Sequence, residues 1–194
     1  METADFFNLV LPTAGLRCVA TPERGVFTHR FFNSNDLAAS KTLALDASGS
    51  APVYFGCASY LTDDNRTGAN VAKVRSFWLD IDCGPEKPYL TKRDGYRALV
   101  AFNAYLALPT PCVVMSGRGL HVYWVTDADM SPDEWRPTAM ALKAATLDLK
   151  LKVDQSRTAD IATVLRAVGT HHRKGDTREV TLIHIGQIGA LKLT

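Results

Sequence analysis

Two aspartates one residue apart, in the run Phe77-Trp78-Leu79-Asp80-Ile81-Asp82-Cys83-Gly84, are the strongest chemical feature of the chain. The residues from Val74 to Asp82 predict a strand. Side chains alternate along a strand, so Phe77, Leu79 and Ile81 fall on one face and Ser76, Trp78, Asp80 and Asp82 on the other. Carboxylates held that close repel, and desolvation adds to the cost of ionising both. A divalent cation offsets both penalties, and paired carboxylate oxygens suit Mg²⁺ or Mn²⁺. Gly84 and Pro85 stop the strand, leaving the pair at its C-terminal end. The plain alternative is a strand end with two solvated aspartates.

A second feature is Ser116-Gly117-Arg118-Gly119-Leu120-His121. Two glycines in a tight turn let backbone N–H groups approach an anion without obstruction by Cβ. Ser116 and Arg118 add donors suited to phosphate oxygens, and His121 opens the next strand. The alternative is a hairpin that simply needs glycine. A third feature is Lys150-Leu151-Lys152-Val153-Asp154, followed by Asp160 and then Arg166, His172 and Lys174. Either Asp154 or Asp160 supplies a third carboxylate for metal, and the cations suit a polyphosphate. Seen alone, this stretch also reads as a solvated basic loop. Taken together, the parts are those of two-metal phosphoryl transfer, with two divalent ions and a cationic cradle.

The elements that must position these residues are legible in outline. Val53–Ala58 predicts a strand, and 62–70 a polar loop. A helix from about Lys92 to Leu106 is expected to bury Ala98, Ala101, Phe102, Tyr105 and Leu106. A second helix opens at Ser131-Pro132-Asp133-Glu134, a capping box with proline at the first helical position. Its expected buried stripe is Trp135, Ala139, Leu142 and Leu149. Strands over Pro111–Met115 and Leu120–Val125 flank the glycine turn, and a last strand covers Glu179–Ile185. Residues 1–50 are mixed, with turn signals at Pro12–Gly15, Glu23–Gly25 and Asp46–Gly49. The order predicts an α/β (α+β) fold with an antiparallel hairpin in the sheet.

Composition sets the outer bounds. The 194 residues carry 22 basic and 20 acidic side chains and are 46% hydrophobic, which excludes a largely disordered chain. Residues 155–178 concentrate positive charge, with Arg157, Arg166, Arg173, Lys174 and Arg178 against Asp160 and Asp176. Cys18, Cys57, Cys83 and Cys112 form no C-x-x-C pair, so no structural zinc is expected. No apolar run approaches the roughly 20 residues that span a bilayer. With no signal-peptide pattern at the start, a cytoplasmic protein with no membrane partner is expected.

At these motifs the sequence resembles the archaeo-eukaryotic primase superfamily, particularly the phage and plasmid primase-polymerases. The family's apolar strand ending Asp-x-Asp is matched by Asp80 and Asp82, and its Ser/Gly-rich turn leading to histidine by Ser116 to His121. Its apolar-Asp motif is matched most naturally by Asp154. A later stretch usual in phage members is matched by Leu165-Arg166-Ala167-Val168-Gly169-Thr170-His171-His172-Arg173-Lys174, with Val168 in place of proline and His172 in place of asparagine. The resemblance covers roughly residues 50–180.

It implies an RRM-like, antiparallel-containing sheet with packed helices over about 71–194, beside a small N-terminal α/β unit over about 1–70, together one catalytic core. It implies synthesis of primers or DNA from nucleoside triphosphates (NTP or dNTP) on single-stranded DNA, with Mg²⁺ or Mn²⁺. Asp80, Asp82 and Asp154 would hold metal, with His121 also catalytic. Ser116, Gly117, Arg118, Gly119, His121, Arg166, Thr170, His172 and Lys174 would contact the nucleotide. Lys73 and Arg75 would meet the template backbone. Family members often carry a helicase or helical accessory domain, so a stand-alone core or a piece of a longer chain is expected, in the host cytoplasm if phage-encoded.

Three other readings compete. A haloacid-dehalogenase-type phosphatase also begins at Asp-x-Asp, but expects a small hydroxyl residue soon afterwards, where Cys83-Gly84-Pro85 stands. An Asp-x-Asp glycosyltransferase leaves the later glycine turn without a task. A non-catalytic RRM-like module for single-stranded nucleic acid would stack bases on Tyr54, Trp78 and Tyr123.

Overall fold

The computed structural model describes residues 1–23, 25–49 and 51–193. The chain begins with helix α1 (Thr3–Val10), the hairpin β1 (Leu16–Glu23) and β2 (Val26–Phe32), and helix α2 (Asn35–Ala47). β3 (Tyr54–Tyr60) and a 3₁₀ turn at Gly68–Asn70 lead into the long β4 (Val71–Ile81). Then come α3 (Lys92–Tyr105), β5 (Cys112–Met115), β6 (Leu120–Met130) and α4 (Pro132–Asp148). Four short strands follow: β7 (Val164–Leu165), β8 (His171–His172), β9 (Arg178–Glu179) and β10 (Thr181–His184). Among the described residues the architecture is α+β, with four helices on an antiparallel sheet. Among the described residues no helix is long and apolar enough to cross a membrane. The turn expected at Glu23–Gly25 includes Arg24, which lies outside the described residues; Glu23 and Gly25 flank the β1–β2 connection.

Seven strands run in the order β10-β5-β6-β4-β3-β1-β2, and β7 joins β3 off this path. β3 therefore has two partners along one edge. Ala58–Tyr60 pair with the start of β4, whereas Phe55 and Gly56 pair with Leu165 and Val164 of β7. β4 leaves β3 after Val74 and continues against β6 alone, from Ser76↔Val125 to Ile81↔Leu120. The sheet forks there, and the end of β4 that carries the aspartates forms one arm of the fork.

Local sequence explains the helix starts. Thr91 and Asp94 close a capping box on α3, and Ser131 and Glu134 do so on α4. The buried stripes differ from expectation. α3 buries Gly95, Leu99 and Phe102, while Tyr105 is 75% exposed. At Gly95 an added Cβ would stand 3.1 Å from both Cys83 Sγ and Ile81 Cγ2. That glycine lets the helix lie close to the strand end, and a residue without a side chain leaves no hydrophobic signal. In α4, Thr146 is buried in place of Leu149, which has become the C-cap residue. The Thr146 hydroxyl donates to the Lys143 carbonyl, as buried threonines in helices do.

Candidate active site

The alternation read from sequence holds on β4. Asp80 faces His121 across the β4–β6 ladder, and Trp78 faces Tyr123. His121 Nε2 lies 3.9 Å from Asp80 Oδ1, with the imidazole 2% exposed and the carboxylate 21%. Burial pushes the Asp80 carboxyl up to about 7, reinforced by the charges of Asp82 and Asp154 and opposed by Arg157 and Arg166. Burial also drives His121 down to about 3, helped by the Arg166 charge, so this histidine is neutral. Its Nδ1 is buried without a partner.

Of the two candidates for a third carboxylate, the fold brings Asp154 to the pair. The Asp154 backbone N–H donates to the Asp80 carbonyl at 2.8 Å. Its carboxylate accepts from the Ser156 N–H and hydroxyl at 2.9 and 2.6 Å and stands 3.6 Å from Arg157 Nε. Burial pushes this carboxyl up, but the Ser156 bonds and Arg157 outweigh it and hold it below the usual range. Asp160 instead accepts from the Ala162 N–H and the Thr163 hydroxyl, shaping its own loop.

The donor set, three acidic side chains with mutual repulsion at Asp80, has the chemistry of a divalent-cation site. Among the described residues, no three His, Cys, Asp or Glu side chains converge closely enough to hold a metal as they stand. Each flanking carboxylate is engaged elsewhere: Asp82 accepts from Lys87 Nζ at 2.8 Å, and Asp154 from Ser156.

Beside Asp82 opens a cleft of about 960 Å³. Lys87, Lys92, Arg118, Arg166, Lys174 and Arg178 line it against only Asp82 and Glu86. Such a surfeit of cations in a concave surface attracts polyanions. His172, also on the wall, is 6% exposed and has an unpartnered Nδ1. Burial lowers its basicity, with Arg166, Arg118 and Lys174 adding to the effect.

The glycine turn is built for close packing against protein. A Cβ on Gly119 would stand 2.2 Å from the Ile81 carbonyl, and one on Gly117, at φ +100°, would stand 2.3 Å from His172 Cβ. The turn is thereby pressed between the end of β4 and β8. Ser116 is buried beneath it, its N–H donating to the Gly119 carbonyl.

Several expected contacts fall elsewhere. Thr170 is fully buried, and its hydroxyl donates to the Ala167 carbonyl, so it does not face the cleft. Arg75 is paired with Asp129 at 3.1 Å, and Lys73 sits near the start of β4, at the other end of the strand from Asp80. Trp78 and Tyr123 are 2% and 1% exposed, so neither can stack on a base, whereas Tyr54, the third residue of that reading, is half-buried.

Sequence reasoning missed Lys87 and Lys92, and read Arg157 only as part of a basic stretch. Lys87 reaches Asp82 because residues 83–91 fold back, with Gly84 N–H donating to the Tyr89 carbonyl. Gly84-Pro85 signalled a turn, but not its return. Lys92 Nζ donates to the Gly117 carbonyl from the start of α3, a contact that sequence spacing does not show.

No protein-family model and no curated protein sequence matches the chain. Solved structures do. The chain is similar to the AEP domain of the primase-polymerase of cyanophage S-2L, with TM-score 0.56 and 16% identity over 86% of this chain and 80% of that one. It is similar to the catalytic domain of primase RepB′, solved in complex with initiator DNA, with TM-score 0.60 and 13% identity over 95% and 86%. It is also similar to the polymerase domain of Mycobacterium tuberculosis ligase D, solved in complex with DNA, with TM-score 0.56 and 14% identity over 94% and 78%. These likenesses show that the chain shares its fold with primase, primase-polymerase and polymerase domains.

Proposed function

We propose that the chain is a primase-polymerase catalytic core, a nucleotidyltransferase that builds primers or DNA from nucleoside triphosphates on single-stranded DNA. The observation that carries this reading is the juxtaposition of Asp80 and Asp82 with a cleft lined by six cationic side chains. An acidic end beside a basic pocket is what metal-assisted transfer of a triphosphate requires. The fold shared with primases and polymerases supports it. Residues 1–70 and 71–194 act as one core in this reading, since β3 and β4 join them in one sheet.

Asp80, Asp82 and Asp154 would hold Mg²⁺ or Mn²⁺. Bound there, such ions would supply Lewis acidity toward a hydroxyl nucleophile and charge neutralisation for a triphosphate. Arg118, Arg166 and Lys174 hold the triphosphate and offset its charge. Neutral His121 stands beside Asp80, with Nε2 3.9 Å from its carboxylate, and His172 offers a hydrogen bond from the cleft wall. Packing of Gly117 on His172 fixes the two walls relative to each other.

Primer extension on a single-stranded template with labelled nucleotide and Mn²⁺ tests the proposal. Wild-type chain is expected to incorporate nucleotide, and Asp80→Ala/Asp82→Ala to lose at least about a thousandfold in rate. Undiminished incorporation by the double variant would refute it.

A further inference from the structure

The cleft continues onto a second surface whose composition is different. Phe55 packs on Phe6 and Phe7 of α1, so Tyr54, next along β3, projects from the opposite face of the sheet. The registers Ala20↔His29 and Ala20↔Tyr54 set His29 and Tyr54 on that same face, on either side of β1. Phe27 connects them. Its ring stands edge-on to Tyr54, with centroids 5.7 Å apart, and parallel to His29 within 3°, with centroids 6.4 Å apart. Phe27 is 38% exposed, and His29 and Tyr54 are half-buried, so the group is open to solvent.

Guanidinium groups close both ends. Arg66 Nε donates to His29 Nε2 at 3.2 Å. At the other end Arg166 lies over the Tyr54 ring at 4.9 Å and donates to its hydroxyl at 3.0 Å. Arg166 is also a wall of the cationic cleft. One side chain therefore belongs to both surfaces, and the aromatic row begins where the cleft ends.

We propose that Phe27, His29 and Tyr54, with Arg66 and Arg166, form the docking track for single-stranded nucleic acid. This rests on the polymerase reading above, because a templating base must lie beside the incoming nucleotide. A strand leaving the cleft past Arg166 meets Tyr54 and then Phe27. Every base has a π face, so such a row takes a strand with little regard to sequence, while guanidinium groups accompany its phosphates. Trp78 and Tyr123, paired across β4 and β6 two residues before Asp80 and after His121, are buried and cannot serve. The bases consequently stack on the β2–β3 side of the fork.

The test is fluorescence anisotropy in EDTA with labelled dT15 and with an abasic 15-mer that keeps the phosphates but has no bases. Phe27→Leu retains apolar bulk and removes the π face, and Phe27→Trp restores one. Wild type is expected to bind dT15 more tightly than the abasic strand. Phe27→Leu should lose about fivefold to thirtyfold on dT15 and little on the abasic strand, and Phe27→Trp should regain the loss. Full dT15 affinity in Phe27→Leu, or equal losses on both strands, overturns the track. The assay needs neither metal nor triphosphate, so the two proposals fail separately. A chain that binds through Phe27 but incorporates nothing refutes the polymerase reading alone. One that incorporates nucleotide while Phe27→Leu binds normally refutes the track alone.

Discussion

Asp80 shows how a reactive side chain works against the stability of its own fold. Its folded carboxyl titrates near 7, above the usual 3.8, so the folded chain binds more protons than the unfolded one between those values. Stability without metal therefore falls as pH rises through that window. Asp80→Asn removes the titration. Denaturation in EDTA is expected to find the variant about 1–3 kcal/mol more stable than wild type at pH 8, less than the full shift implies because the group keeps some contact with water. The advantage should vanish near pH 4, and equal midpoints at pH 8 would contradict the buried, repelled carboxylate. Asp80 and Asp82 were legible as a pair because alternation on a strand is a strong local rule. The residues alone left Asp154 and Asp160 open as the third carboxylate, and only the family resemblance favoured Asp154. The choice depends on one backbone bond between residues far apart along the chain, Asp154 N–H to Asp80 carbonyl.

Among the elements, the short strand β8 bears the cleft wall and is held from behind by α2. Asp46, near the end of α2 and 3% exposed, accepts from the His171 N–H at 3.0 Å, from the His171 ring at 2.7 Å and from the Arg173 guanidinium. Burial pushes this carboxyl up, but Arg173 and His171 outweigh it and hold it below its usual range. Its contribution is thus fully present above the unfolded carboxylate value and is lost only as pH falls through a lower one. Asp46→Asn is expected to cost about 2 kcal/mol, since its partners are partly exposed and only one end of the pair is removed. It should also weaken triphosphate binding severalfold, because His172 lies between the two clamped residues; calorimetry with a non-hydrolysable triphosphate reads this directly. Gly119→Ala tests the other side of the same wall. A methyl 2.2 Å from the Ile81 carbonyl forces two backbones apart, and a loss of more than about 2 kcal/mol is expected in thermal denaturation. The sequence displayed these glycines but not their reason, since close packing on a distant strand leaves no local trace.

At the scale of the molecule, the sheet order and the cationic cleft arise from the way remote segments are folded together. The hairpin around Ser116–Gly119 and both capped helices were readable, because each is specified by neighbouring residues along the chain. The joining of β1–β3 to β4 and the placing of Lys87, Lys92 and Arg157 around the aspartates were not, because those depend on chain reversals. The whole-molecule expectation is a saturable rise in thermal midpoint with Mn²⁺ in wild type, absent in Asp80→Ala/Asp82→Ala. Triphosphate affinity should also fall steeply between low and physiological salt, as for any site built from several cations. The division of β3 between two neighbours has a mechanical consequence. Near the aspartates, β4 and β7 are not paired with each other, so no strand ladder joins the two arms there. A guest lodged between the arms acts as a cross-brace, and its arrival should slow amide exchange along residues 76–82 and 164–172 while leaving α3 and α4 at their resting rates.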